Sequence, residues 1–159
     1  MKSIGKKLVV TIKIGSNVIT NSLGFPDEQV IASISRQVKA LREDGHQVLI
    51  ITSGAVAAGR SIYQFQKKTD TVVQRQVLAS IGQVQLISLY KEVFDKQEII
   101  CSQVLVTKED FKSRNHYLNM KNCLSALLNN HIVPVINEND VISVTELMFT
   151  DNDELAGLV

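Results

Sequence analysis

Apolar residues along the chain fall into short β-branched runs separated by longer stretches with helical periodicity. Residues 7–14, KLVVTIKI, are an almost unbroken apolar run, the pattern of a strand covered on both faces. Gly15-Ser16 breaks it. Pro26 is expected to open a helix, where its missing N–H costs nothing. Val30, Ile34, Val38 and Leu41 then share one face, and Gly45 ends the segment. QVLIIT at 47–52 predicts a second strand, and Ser53-Gly54 a sharp turn into a short helix. After a polar loop at 63–70, a long helix is expected over 71–97, with Val73, Val77, Ile81 and Val84 as its stripe. IICSQVLV at 99–106 predicts a third strand. Residues 108–130 read as one helix with Met120, Leu124, Leu127 and Leu128 facing inward, and IVPVI at 132–136 as a fourth strand. A polar NEND loop follows from Asn137, SVTELMF at 143–149 reads as an edge strand, and Asp151 onward as a loop entering a helix. Strands alternating with helices indicate βαβ units. The expected fold is an α/β three-layer sandwich with a mainly parallel sheet and helices on both faces.

Composition narrows the classes. At 159 residues with 45% hydrophobic and 21% charged, the chain suits one globular domain or part of a larger one, and disorder is disfavoured. A net charge of +1 lacks the basic excess of a nucleic-acid binder, so no nucleic acid is expected as a partner of this segment. No apolar run approaches the roughly 18 residues of a membrane span, and Thr11 and Lys13 interrupt the only signal-like start. Cys101 and Cys123 are the only cysteines and form no C-x-x-C pair, which reads as two reduced thiols of a cytoplasmic protein. The three histidines are scattered, and no metal-ligand spacing stands out. Charge is balanced in total but not in position. Residues 1–16 carry four lysines and no acid, and residues 132–159 carry six acids and no base. Such asymmetry fits either two surface patches or cationic and anionic groups placed around one polar ligand.

In an open α/β sheet, ligands sit beyond the carboxyl ends of the strands. Four polar segments fall at such ends: Lys13 with Gly15-Ser16, Ser53-Gly54, Asn137 to Asp140, and Asp151 to Asp153. Gly15 and Ser16 can bring backbone N–H groups to an anion, and Lys13 can neutralise a phosphate or simply reach solvent from its strand end. Gly54-x4-Gly59-Arg60-Ser61 nearly matches a P-loop, but Arg60 replaces the required lysine and the intervening residues are helix formers. A glycine turn that starts a helix fits better, with Ser53 either facing a ligand carboxylate or serving as a helix cap. Asp140, Asn152 and Asp153 could hold an ammonium, orient a carboxylate and fix a lysine, or could serve only as turn residues.

VVTIKIGSNVIT, VLIITSGAVAAGR, the stretch from VLASIGQ through QVLVTKEDFKSRNHYLN, and VPVINEND with FTDNDELAGLV together resemble the glutamate 5-kinases of the amino-acid kinase family. The likeness covers nearly the whole chain in order, and SGAVAAG, INEND and DND are its specific parts. Thr150 departs from the family, which mostly has glycine before Asp-Asn-Asp. The resemblance implies the carbamate kinase-like fold and transfer of a phosphoryl group from ATP, with nucleotide-bound Mg²⁺, to the γ-carboxylate of L-glutamate. That is the first step of proline biosynthesis, and it implies a homo-oligomer and feedback inhibition by proline. The nucleophile is already ionised, so no protein base is required. By resemblance Lys13 stabilises the transferring phosphoryl group, and Gly15 and Ser16 contact phosphate. Ser53, Asp140 and Asn152 bind glutamate, Asn137 shapes the substrate loop, and Asp153 holds the catalytic lysines in register. The likeness covers only the first part of the family's kinase domain, and ELAGLV breaks off inside an apolar helical pattern. The expectation is therefore a truncated domain, inactive alone, with most of the nucleotide site and any PUA domain absent. A non-catalytic amino-acid-binding module is the alternative. Another amino-acid kinase, such as one acting on acetylglutamate, is disfavoured by SGAVAAG with INEND.

Overall fold

The computed structural model describes residues 6–67, 70–143 and 152–158, with no side-chain description for Asn152, Asp153 and Glu154. Its elements in chain order are β1 (Val9–Lys13), α1 (Ser16–Ile19), α2 (Glu28–Glu43), β2 (Gln47–Ile51), α3 (Ala55–Ile62), α4 (Thr71–Asp95), β3 (Cys101–Val106), α5 (Lys108–Lys112), α6 (Arg114–Asn129), β4 (Val133–Glu138) and α7 (Asn152–Leu158). The strands form one sheet in the order β1-β2-β4-β3, and each pairing is parallel.

Alternation along β2 explains the two-sided core. Val48 and Ile50 join a cluster with Ile31 and Val38 of α2 and Leu86, Tyr90, Val93 and Phe94 of α4. Leu49 and Ile51 point the other way, to Leu124 of α6 and Leu155 of α7. Adjacent strand residues face opposite sides of a sheet, so an unbroken apolar run is what a central strand between two helical layers requires. Ile50, Ile51 and Ile136 are fully buried, each worth about 1.5–3 kcal/mol relative to exposure. The three-layer α/β architecture expected from the pattern is the one observed. No helix among the described residues is long and apolar enough to cross a membrane. Cys101 and Cys123 are free thiols, the first half-buried, and burial is the main cause that pushes its thiol up.

Several boundaries differ from expectation. Helix α2 begins at Glu28 rather than Pro26, because the Asp27 carboxylate accepts the N–H groups of Gln29 and Val30 and caps it. The 108–130 segment is two helices. Ser113 leaves the helical conformation, and its hydroxyl accepts the His116 N–H to start α6. The α4 stripe is also displaced. Val73 and Val84 are exposed, and the buried line runs through Leu78, Gly82, Leu86, Tyr90 and Phe94. Glycine causes the rotation. A Cβ on Gly82 would stand 1.8 Å from the Ala55 carbonyl oxygen, and one on Gly59 would stand 2.0 Å from the Leu78 carbonyl oxygen. Helices α3 and α4 thus meet backbone to backbone, and the face that meets is the one carrying glycine. Strand β4 continues past Ile136 to Glu138. The expected edge strand at 143–149 lies outside the described residues apart from Ser143, as does Thr150.

Candidate functional site

The carboxyl ends of β1, β2 and β4 open into one cleft of about 690 Å³. It is lined by Lys13, Gly15, Ser16, Ser53, Asn137 and Asp140, six of the residues singled out from sequence, and also by Arg60, Gln74, Arg75 and Glu138. Strands β1, β2 and β4 each deliver one polar segment because the sheet is parallel and they end on the same side. Strand β1 pairs with β2 as far as Lys13 and Ile51, and the Ile14 N–H continues to the Ile51 carbonyl at 2.8 Å. The Thr52 N–H reaches the Ile136 carbonyl at 2.8 Å, which levels the Ser53 turn with the β4 end.

On the β1 side, the chain turns at Gly15 into α1. The N–H groups of Val18 and Ile19 both donate to the Gly15 carbonyl, at 3.0 and 3.2 Å. The amides of Ser16 and Asn17 therefore stand at a helix start, where amides lack intrahelical acceptors and suit an anion. A Cβ on Gly15 would lie 3.7 Å from the Lys13 Nζ, so the ammonium rests against this turn.

At the β2 end, Gly54 is the N-cap of α3, with φ of +102°. Ser53 is therefore not its N-cap, and the capping alternative is set aside. The left-handed glycine turns the chain sharply enough to hold Ser53 on the cleft wall. Beneath it, the buried Thr52 hydroxyl is 2.9 Å from the Tyr90 hydroxyl. Burial pushes the Tyr90 phenol well above its ordinary range, and the bond from Thr52 only partly opposes this. The P-loop-like spacing is a helix in space. Gly59 lies inside α3 and serves its packing on α4, not a phosphate cradle.

At the β4 end, Asn137 is buried and its Nδ2 donates to Gln83 Oε1 of α4 at 2.9 Å. Asp140 follows on a turn closed by the Ile142 and Ser143 N–H groups donating to the Asn139 carbonyl. Its side chain is only 10% exposed, and Oδ1 accepts Nε and Nη2 of Arg75 at 3.2 and 2.8 Å. Arg75 and the buried Glu138 are cleft residues that the sequence reading did not select. Glu138 sits inside NEND and could have been taken with its neighbours. Arg75 belongs to α4, and only the tertiary fold brings it to the β4 end. Asn152 and Asp153 fall in the first turn of α7, and their side chains lie outside the description.

Parallel strands lie about 4.8 Å apart, so the β1 and β4 ends, with β2 between them, are separated by roughly 10 Å. Lys13 marks one end and Asp140 the other. This spacing suits a ligand cationic at one end and anionic at the other.

A family model described as the amino acid kinase family matches residues 7–159. The chain belongs to the amino acid kinase family. Among curated proteins it is 50% identical over 150 residues to the glutamate 5-kinase of Chlorobaculum tepidum, covering 94% of this chain and 42% of that protein. It is 48% identical to the glutamate 5-kinase of Bacteroides thetaiotaomicron, with the same coverage, and 43% identical to that of Pelobacter propionicus, covering 40% of it. The chain thus spans about two fifths of the length of these relatives.

Proposed function

We propose that the cleft binds L-glutamate and faces the transferring phosphoryl group of ATP, as part of a glutamate 5-kinase. The observation that carries this reading is the convergence of Lys13, Gly15, Ser16, Ser53, Asn137 and Asp140 on one cleft, cationic at the β1 end and anionic at the β4 end. The relatives are named glutamate 5-kinases, the same activity.

The α-ammonium of glutamate meets Asp140, and Ser53 offers a hydroxyl to a substrate carboxylate. Asn137, tied to Gln83, keeps the floor of the cleft fixed. The γ-carboxylate extends toward β1 and, ionised at neutral pH, attacks the γ-phosphorus directly as the bond to the bridging oxygen breaks and ADP leaves. Two anions must approach each other, so catalysis reduces to positioning and to offsetting their repulsion. Lys13 and the amides at Ser16 and Asn17 fit that task. Asn152 and Asp153 are proposed to complete it, the first toward glutamate and the second toward the catalytic lysine. Mg²⁺ is usually held through substrate phosphates with one or two carboxylates. The ion is proposed to arrive with the nucleotide and would neutralise phosphate charge when bound. Proline inhibition, homo-oligomerisation and a cytoplasmic location belong to the same proposal.

The experiment is to trap the acyl phosphate with hydroxylamine, using a kinase of the relatives' full length that carries this chain. Hydroxamate that depends on both ATP and L-glutamate is the expected product. Hydroxamate formed equally well from N-acetylglutamate or aspartate would overturn the assignment.

A further inference from the structure

Asp140 is fixed from outside its own turn. Helix α4 reaches the turn at two adjacent positions. Arg75 holds the Asp140 carboxylate, and Gln76 Nε2 donates to the Val141 carbonyl at 2.9 Å. The start of α4 is itself capped by Asp70, which accepts the N–H groups of Val72 and Val73 at 2.8 and 3.3 Å. Arg75 therefore projects from just beyond a well-capped first turn. Both of its bonds go to one oxygen, Oδ1. The other, Oδ2, has no hydrogen-bond partner among the described residues.

We propose that Arg75 is a positioning residue for the cleft. It locks the Asp140 carboxylate through Oδ1, so that Oδ2 stays available to accept a substrate ammonium. This rests on the reading of Asp140 as the ammonium acceptor and adds a residue from a distant element to it. A carboxylate has room for about four hydrogen bonds, so the fork and an ammonium can be accommodated together. The guanidinium is half-exposed while Asp140 is nearly covered. Water screens much of the positive charge, so the fixed geometry outweighs the repulsion that Arg75 exerts on an incoming ammonium. Without the fork, a carboxylate on a short turn must be ordered by the ligand itself, which lowers affinity.

The test is calorimetric titration of a kinase of the relatives' full length that carries this chain, with L-glutamate and with glutarate, which has both carboxylates and no ammonium. The proteins are the parent, Arg75→Met, Asp140→Asn and the double variant. Arg75→Met should weaken L-glutamate roughly 5- to 30-fold, well inside the span of coupled contacting pairs, and leave glutarate nearly unchanged. It should add nothing in the Asp140→Asn background. Arg75→Lys, which keeps the charge and loses the fork, should fall between parent and Arg75→Met. If glutarate binds too weakly to measure, the double variant decides. Unchanged or tighter L-glutamate binding by Arg75→Met, with Asp140→Asn still weakened, overturns the inference alone. Equal losses for both ligands reduce Arg75 to a structural role and overturn it too. If Asp140→Asn binds L-glutamate as well as the parent, or the parent does not bind it, the ammonium reading fails and the inference falls with it.

Discussion

Lys13 and Tyr90 show how one side chain's surroundings set its work. Lys13 is a strand-end lysine whose Nζ rests against the Gly15 turn, within the cleft. If its charge acts on the transferring phosphoryl group, Lys13→Ala in a kinase of the relatives' full length lowers kcat by roughly 100–1,000-fold, with a much smaller change in the KM for glutamate. Steady-state kinetics checks this, and a near-normal kcat would reduce Lys13 to a solvated lysine. Tyr90 is a buried partner of Thr52 under the Ser53 turn. An unfolded tyrosine ionises near pH 10, whereas burial keeps Tyr90 protonated to higher pH. Above about pH 10 the unfolded chain then binds fewer protons than the folded one, so stability falls as pH rises. This contribution is fully present below about pH 10 and is lost as pH climbs toward the folded value. Tyr90→Phe should lower stability at neutral pH by about 1 kcal/mol and flatten the alkaline decline. Urea midpoints of both proteins between about pH 8 and 11 measure both effects.

At the scale of elements, the crossing of α3 and α4 is governed by residues with no side chain. Gly82→Ala places a methyl group 1.8 Å from the Ala55 carbonyl oxygen and 2.3 Å from the Gly59 nitrogen, where backbone cannot yield cheaply. It should destabilise by about 1–3 kcal/mol or more. Gly24→Ala is the control, since it meets nothing within 4 Å and bears only the strain of its positive φ. A urea midpoint that falls further for Gly24→Ala than for Gly82→Ala would contradict the close-contact account. The same crossing explains an error of expectation. The sequence predicts the α4 stripe through Val73, Val77, Ile81 and Val84, because apolar volume defines a helical face in a sequence. A contact made by backbone carries no such volume and turns the helix toward Gly82. The strands were more legible, because β2 is buried on both faces and its unbroken run has no other use. Ser113 was hidden by the apolar pattern continuing on both sides of it.

At the scale of the molecule, the parallel sheet brings three separate segments, at the ends of β1, β2 and β4, into one cleft. That convergence was legible, because polar turn residues at the ends of apolar strands must collect at one edge of such a sheet. Lys13, Ser53 and Asp140 could thus be named from sequence. Arg75 could not, since it stands 65 residues from Asp140 and meets it only once α4 has crossed the sheet ends. The cleft is proposed to hold a zwitterion with its ammonium on Asp140, and the most direct measurement is the affinity for L-glutamate of a kinase of the relatives' full length that carries this chain, before and after Asp140→Asn. Asparagine keeps the size and the turn propensity and removes the charge. A charge-assisted hydrogen bond contributes about 1.5–3 kcal/mol, so calorimetry should show affinity falling roughly 10- to 150-fold with thermal stability nearly unchanged. An unchanged dissociation constant would contradict the account and leave Asp140 as a turn residue.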